Sequence, residues 1–382
     1  MAGRPNTSDL TCGPNDQRPA TRLAPSPTGA LHLGNARTFL INWALARQRG
    51  WRVIMRMEDL DGPRVKQGAD QQALDALRWL GIDWDGEILY QSADLSPYQE
   101  ALERLQQAGL IYHCRCSRKD IAAAQSAPHE GGELRYPGTC RPNAMGDQNN
   151  QLSSHWMTAN ATAGETPPAR NSSQEAPGTP AGSVKSSESH ESSSASTAPP
   201  LLAEDASAWR IHVPDEPIGF DDEVAGPQSI NVQRQAGDFI VATKAGMPAY
   251  QLAVVVDDAR QGVTDVVRAD DLIKSTPRQL LLYRALGLSP RPRYYHLPLV
   301  LGPDGRRLAK RHGDTRLVAY RDRGVPAKRI VGLIAHWSGM LESPAPMTAD
   351  QFCQHFELTA LPRQPVTLTE AQANWLETGQ LP

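Results

Sequence analysis

Cysteine is scarce in this chain: five residues among 382, an odd number. So few thiols build no disulfide framework, which excludes a small secreted scaffold and suits a reducing, cytoplasmic setting. A large excess of one charge is also missing. There are 39 Lys and Arg against 42 Asp and Glu, a net charge of −3. That excludes a surface coated for non-specific nucleic-acid binding, though not a local basic face. No apolar run approaches the roughly 18 residues a membrane helix needs. The first residues are polar and carry no apolar stretch of a secretory signal. No internal repeat is evident.

What the chain does have is enough apolar residue, 40%, for a globular core, and length for two domains plus spare sequence. Residues 1–20 read as a flexible tail. From Thr21 the pattern becomes α/β. A short apolar strand near 22–24 leads into a Pro/Ser/Gly loop. A helix over about 35–49 places Ala36, Leu40, Trp43 and Ala44 on one face, with Gly50 as its stop. The strand "WRVIMRM" follows and ends at Glu58 and Asp59, and helices are expected over 70–80 and 98–108. This alternation predicts a parallel, doubly wound sheet. Residues 142–208 differ: "SSESHESSSASTAPP" typifies a Ser/Ala/Pro-rich segment that reads as a disordered insertion. Globular sequence resumes near Trp209. "YQLAVVVDDARQGVTDVVRADDL" reads as two buried strands joined by a turn, the first opened by Tyr250 and Gln251 and the second ended by Arg268. "STPRQLLLYRALGL" reads as a helix with Ser275 as N-cap and Pro277 in its first turn. Further helices are expected over 327–340 and 348–356.

Five constellations could carry chemistry. In "RLAPSPTGALHLGNA" a strand, a turn and a helix start follow one another, and a helix N-terminus suits phosphate. There Gly34 permits close backbone approach, and His32 can donate to a phosphate oxygen. "RMEDLD" sits at a strand's carboxyl end, where α/β sheets bind ligands, and its carboxylates could hold an ammonium group. "HCRCSRKDI…GGELRYPGTC" supplies Cys114, Cys116 and Cys140; three thiolates and a fourth ligand make a structural zinc site. Tyr136, His113 and His129 are all candidates for the fourth, and chemistry alone favours a histidine. Arg268, leaving a buried strand, is placed to meet a carboxylate bidentately, with a structural pair to Asp270 or Asp271 as the alternative. Finally, "LGPDGRRLAKRHGDTRL" opens a basic run: nine Lys or Arg against two Asp over 306–329. That suits polyphosphate or a nucleic-acid backbone, and Gly302, Gly305 and Gly313 suggest a loop that closes and reopens.

Together these motifs resemble the class I aminoacyl-tRNA synthetases of the glutamyl type. "HLGN" looks like the HIGH signature and "RLAKR" like the KMSKS signature, in the order that class uses. "APSPTG", "RMEDLD", "YQLAVVVDD", "STPRQ" and "LPLVLGPDGRRLAKRHGD" extend the likeness across most of 21–340. Two features resemble one subgroup, the glutamyl-Q tRNA(Asp) synthetases: only about 70 residues follow Arg311, and the CxC…Y…C pattern looks like that subgroup's zinc site.

The resemblance implies an α/β, Rossmann-like doubly wound parallel sheet. It implies a division into a tail (1–20), a first catalytic half (21–112), a zinc-binding insertion (113–141), the low-complexity insertion (142–208), a second catalytic half with the KMSKS-like loop (209–317) and a helical C-terminal region (318–382). It implies tRNA-independent activation of L-glutamate by ATP with Mg²⁺, and transfer to queuosine at position 34 of tRNA(Asp), by a cytoplasmic monomer without membrane partners. Arg22, Leu23, Ala24, Pro25, Ser26, Glu58, Tyr250 and Arg268 would then bind glutamate. His32, Gly34, Asn35 and Lys310 would bind ATP, with His32 and Lys310 catalytic. Cys114, Cys116, Tyr136 and Cys140 would hold structural Zn²⁺. The sequence departs from the pattern at Ala309, where KMSKS has serine, in its long Cys116–Tyr136 spacing, and in the 142–208 insertion and the residues after Leu341. "KRHGD" is closer to ordinary glutamyl-tRNA synthetases, so the alternative is a truncated enzyme of that kind, charging the 3′ end of tRNA(Glu). A non-catalytic relative would be expected to lack His32 or Lys310.

Overall fold

In the computed structural model, residues 18–124, 134–142, 207–308 and 314–380 are described. Most of the tail, nearly all of the 142–208 insertion, His129, and Lys310 with its neighbours lie outside the described residues.

Three parallel strands open the fold: β1 (Ala20–Leu23), β2 (Arg52–Met57) and β3 (Leu89–Tyr90), paired in that order. β1 and β2 are nearly all buried, as strands covered on both faces are. The first crossover is α1 (Leu33–Arg49), which buries Leu40, Ile41, Trp43 and Ala44 and stops at Gly50, whose φ of 67° is left-handed. Its start lies two residues before the expected one, because His32, an unusual N-cap residue, supplies the cap. Then come α2 (Ala69–Leu80) and α3 (Ser96–Gln107).

A small antiparallel sheet follows. β4 (Ile111–Cys114) runs into α4 (Arg118–Ala123), and β4 pairs with β5 (Ala208–Ile211). The second half of the main sheet begins with the hairpin β6 (Pro217–Asp222) and β7 (Gly226–Asn231). Next are α5 (Val232–Gln235) and β8 (Ile240–Ala242), the latter on the free edge of β5.

Residues 250–260, expected as a strand, form a helix, α6 (Tyr250–Arg260). Leu252 through Asp258 are all buried, so the segment shows no polar face and its apolar run carries no period to read. Its length of 11 residues was the remaining clue, since strands usually run to about 5–6. The second expected strand does form, as β9 (Asp265–Ala269). Then come α7 (Thr276–Ala285) and β10 (Arg293–Leu297). Ser275 precedes α7, yet its hydroxyl does not cap it; the hydroxyl accepts from Gln251 instead, and a 3₁₀ turn over Asp270–Ser275 leads into the helix.

β9, β10 and β6 pair in parallel, with β7 outermost. The two halves meet at β1 and β9: Thr264 N–H donates to Ala20 O at 2.8 Å, and Ala20 N–H to Thr264 Oγ1 at 2.9 Å. The spatial order is therefore β3-β2-β1-β9-β10-β6-β7, and it reverses between β1 and β9. Such a switch point, at the carboxyl ends of the strands, is where doubly wound sheets bind ligands.

The chain ends with β11 (Val300–Leu301), α8 (Leu317–Asp322), α9 (Ala327–Trp337), α10 (Ala349–His355), β12 (Val366–Thr367) and α11 (Glu370–Thr378). Leu333, Phe352 and Trp375 share the core of α1 and α2, so this region is packed on the sheet's helices. Among the described residues no helix is long and apolar enough to cross a membrane.

Candidate active site

Arg22 and Arg268 are the penultimate residues of β1 and β9, the two strands at the switch point. Both are buried, 5% and 4% exposed, which demands partners. Arg22 Nε lies 3.4 Å from Asp258, and its NH1 donates to Val267 O on the neighbouring strand. Asp258 also takes Arg56 at 2.5 Å, and Arg56 in turn reaches Gln261 at 2.9 Å and Glu58 and Asp257 at 3.9 Å. Asp257 is held by Gln91 and Tyr98. Removing one member of such a buried network costs about 3–5 kcal/mol, because a charge is left alone.

Glu58 follows β2 directly, and its backbone N–H donates to Pro25 O, which ties the 24–26 turn to the strand end. Burial raises the Glu58 pKa, against the pull of Arg56 and Arg22. Tyr250, at the start of α6, keeps 42% of its surface exposed. Its phenol pKa is raised by burial of the hydroxyl and by Glu58, with Arg268 and Arg22 opposing. The structure thus brings Arg22, Glu58, Tyr250 and Arg268 together. Leu23 and Pro25 are buried, while Ala24 and Ser26 are half-buried on the same turn. Arg268 pairs with neither Asp270 nor Asp271; its partners are His296 and Thr276.

The start of α1 lies nearby: Ala269, next to Arg268, and His32 line one cleft. His32 Nδ1 accepts from Gly34 N–H at 3.1 Å and Asn35 N–H at 3.4 Å, and Asn35 Oδ1 accepts from His32 N–H. This reciprocal cap fixes the ring: Nδ1 is an acceptor, so the neutral ring carries its proton on Nε2. Burial, then Arg307, push His32 down to about 4. A Cβ at residue 34 would stand 3.0 Å from His32 Cε1, which is why glycine follows the cap so closely.

A small cleft is lined by His32, Gly34, Asn35, Leu299, Val300 and Arg307, among others. Arg37, 1% exposed, also lines it; its NH1 donates to Pro298 O, while Nε and NH2 have no partner among the described residues. Arg307 is paired with Asp271. The basic loop is anchored on both sides near the cap. Leu308 N–H donates to Val300 O, Leu317 N–H to Leu31 O, and Arg316 bridges to His32.

The three cysteines also meet. Their sulfurs lie within 4.8 Å of one another, with Cys116 Sγ 3.5 Å from Cys140 Sγ. Tetrahedral zinc with bonds near 2.3 Å sets sulfurs about 3.8 Å apart, so the donor set fits. The Tyr136 oxygen is 3.5 Å from Cys114 Sγ and accepts from Cys140 N–H at 2.7 Å. Gly237, at φ 70°, lets the backbone reach Tyr136: a Cβ there would sit 2.4 Å from its carbonyl oxygen. His113, one of the two histidines offered as a fourth ligand, points elsewhere. Its Nδ1 meets Ser207 at 2.6 Å and its ring lies tilted against Trp209, centroids 3.8 Å apart.

Sequence reading missed Arg37, Asp222, Asp257, Asp258 and His296 as site-forming residues. The usable signal was a charge inside or at the end of an apolar run, as in "AVVVDD". Asp222 and His296 gave none, since they meet only through the sheet.

Comparison with known proteins places these features. A family model described as tRNA synthetases class I (E and Q), catalytic domain, matches residues 20–175 and 169–375. The glutamate–tRNA synthetase of Elizabethkingia anophelis shares the fold: TM-score 0.67 at 21% identity, over 94% of this chain and 70% of that one. The fold and the domain are those of a class I synthetase, a class that uses ATP with Mg²⁺, an amino acid and tRNA. Among sequence relatives, the glutamyl-Q tRNA(Asp) synthetase of Symbiobacterium thermophilum is 41% identical over 91% of this chain and 95% of its own length. That of Rhodopirellula baltica is 42% identical over 91% and 96%. The glutamate–tRNA ligase of Nitratidesulfovibrio vulgaris is 35% identical over 83% of this chain, but over only 57% of its own length. The chain belongs to the glutamyl-Q tRNA(Asp) synthetase family.

Proposed function

We propose that the chain activates L-glutamate with ATP, without needing tRNA, and transfers it to queuosine at position 34 of tRNA(Asp). The observation that carries this reading is the convergence of Arg22, Glu58, Tyr250 and Arg268 at the switch point beside the capped histidine. Glutamate has two carboxylates and one ammonium group. Two buried arginines answer the carboxylates, and Glu58 answers the ammonium. Its raised pKa favours a bound cation, which restores the ionised form. Leu23, Ala24, Pro25 and Ser26 form the turn against which the amino acid lies.

In activation, a glutamate carboxylate oxygen attacks the α-phosphorus of ATP and pyrophosphate leaves. His32, neutral with its proton on Nε2, lines the cleft and donates to the phosphate oxygen as charge builds there. Gly34 and Asn35 offer the helix start, and Lys310 the second cation. The anchoring of the loop on both sides of 309–313 supports that role for Lys310. The glutamyl group then passes from the adenylate to a hydroxyl of the modified nucleoside, and AMP leaves.

Cys114, Cys116, Cys140 and Tyr136 hold Zn²⁺, which ties β4 to the 134–142 segment and acts as a structural clamp. The halves 21–112 and 209–317 make the catalytic domain around the insertion 113–141. The protein acts as a monomer in the cytoplasm, where its thiols stay reduced.

The test is glutamate-dependent ATP–pyrophosphate exchange with and without tRNA, followed by labelling of tRNA(Asp) with and without queuosine. Exchange without tRNA and queuosine-dependent labelling are expected. Exchange only with tRNA(Glu), with label on the 3′ end, would sink the reading. Lys310→Ala should cut exchange by about a hundredfold or more, the scale of one lost charge stabiliser, and near-normal exchange would remove Lys310 from the mechanism.

A further inference from the structure

We propose that His296, backed by Asp222, is a positioning residue that aims the Arg268 guanidinium at the glutamate carboxylate. The inference rests on the reading of Arg268 as a glutamate-binding residue. The three side chains come from adjacent strands. Asp222 ends β6, His296 is penultimate in β10, and Arg268 is penultimate in β9. The parallel register sets His296 directly opposite Arg268, so the two side chains share one face of the sheet.

The chain of contacts has one direction. Asp222 accepts from Val224 N–H at 3.0 Å, Ala225 N–H at 2.7 Å and His296 N–H at 3.2 Å. Burial works against its ionisation, yet the bonds from His296 and Ala225 outweigh it and lower its pKa. An ionised carboxylate only accepts. His296 Nδ1, 2.6 Å away, must therefore carry the proton.

Burial also keeps His296 neutral, so Nε2 presents a lone pair. Arg268 Nε–H donates to that lone pair at 3.0 Å, and Arg268 NH2 donates to Thr276 Oγ1 at 2.8 Å. Thr276 Oγ1 also lies 3.2 Å from His296 Nε2. The guanidinium stands 5.5 Å over the Tyr294 ring, which restricts its tilt. All five residues are buried.

The bookkeeping of donors makes the point. Arg268 offers five N–H bonds. The Nε and NH2 side is taken by His296 and Thr276, whereas NH1 is buried without a partner among the described residues. A buried, unpaired N–H group is a feature that a ligand should satisfy. His296 and Thr276 occupy the back of the guanidinium and leave its front free. A proton on Nε2 would turn a donor toward Arg268 and abolish this; the Asp222 contact keeps the neutral ring's proton on Nδ1, while burial and the Arg268 charge oppose a second one.

The test measures exchange kinetics of the full chain, with tRNA(Asp) present, and separates KM for glutamate from KM for ATP. His296→Asn keeps a donor toward Asp222 and removes the acceptor for Arg268. It should raise the glutamate KM about tenfold, the scale of one hydrogen bond to a charged group, with kcat and the ATP KM within about twofold. His296→Gln returns an oxygen near the Nε2 position and should recover most of the loss. Thr276→Val, which leaves the strands untouched, should raise the glutamate KM severalfold and serves if His296→Asn melts too low to assay. Arg268→Gln is the control on the underlying reading. If it leaves the glutamate KM unchanged, Arg268 does not bind glutamate. If it raises that KM while His296→Asn and Thr276→Val do not, the positioning inference alone is overturned. Equal losses for glutamate and ATP in His296→Asn, with no recovery in His296→Gln, would reduce His296 to core packing.

Discussion

At the switch point, Arg22, Arg56 and Arg268 are buried in the sheet, each met by acceptors from other elements. At the cysteine cluster, the packed residues are few: Tyr112, Cys114, Ile121 and Tyr136, with Cys116 and Cys140 only partly covered. The first site draws its rigidity from the protein's largest hydrophobic clusters and a crossing hydrogen-bond network. The second has polar atoms aimed at one point and little apolar surface to hold them. Burial pushes the Cys116 thiol up to about 11, while Cys140 is drawn down to about 7: burial opposes ionisation there, but bonds from Arg115 N–H and the neighbouring thiols outweigh it. A set of thiols so divided suits a cation that would take them all as thiolates. The contrast is between a site organised before its ligand arrives and one organised by its ligand.

The largest effect should come from breaking the first site. Arg22→Ala removes a guanidinium that faces Asp258 and, in the proposed reading, a glutamate carboxylate. Losing one member of a buried charged pair costs about 3 kcal/mol, so kcat/KM for glutamate should fall more than a hundredfold while the melting curve stays cooperative. Arg22→Lys keeps the charge but not the fork and should fall in between. A glutamate kcat/KM unchanged in both would detach Arg22 from the substrate.

The second effect is structural. Chelation, or Cys116→Ala, should remove one zinc per chain, read by metal analysis. Amide exchange should then quicken over residues 111–123 and 134–141 while β1, β9 and β10 stay protected, because those strands sit in other clusters. Zinc-free protein with unaltered exchange in those segments would contradict the proposal that the metal organises them.

This contrast also marks how far the sequence could be read. The helix after the "HLGN" turn was legible to within two residues because the turn and apolar face are local, though its His32 cap was not read, and the strand-end charges were legible because "RMED" and "VVRAD" interrupt apolar runs. The helix over Tyr250–Arg260 was not, since burial on every side erases its period. The Asp222–His296 contact spans 74 residues and depends on strand order, which no local pattern encodes. His113 stood next to the cysteines in sequence, but alternation along β4 turns it to the opposite face from Cys114.

A smaller effect concerns pH. Burial holds the Glu58 pKa above that of an ordinary glutamate. In the proposed reading the ammonium group needs Glu58 ionised, so the glutamate KM should rise on acidification, starting at a higher pH than a solvent-exposed carboxylate would set. Glu58→Gln should raise KM at every pH and flatten that slope. His32, near 4 rather than the usual 6.5 or so, should add no inflection around neutrality. Its depressed pKa also fixes a sign for stability. Above the unfolded value both states are neutral and its contribution is complete. It declines as pH falls from there towards 4, where the folded state finally binds the proton.

The smallest effect tests whether the two sites are separate. Residues 143–206 join segments that already meet: Cys114 faces Ala208 across the β4–β5 pair, Ser207 bonds to His113, and Arg141 reaches Val213 and Asp238. Deleting residues 150–200 leaves 13 of those positions, a reach of up to about 45 Å when extended. It changes the closure entropy by only about 1.4 kcal/mol, in the favourable direction. Exchange should stay within about twofold of the full chain, because the switch-point groups Arg22, Arg56 and Arg268 take their partners from other segments. A drop well beyond twofold with zinc retained would show the segment acting on the pocket itself. A drop accompanied by zinc loss would show instead that the pocket depends on the cluster, and the comparison drawn between them would have to be rebuilt as one coupled site.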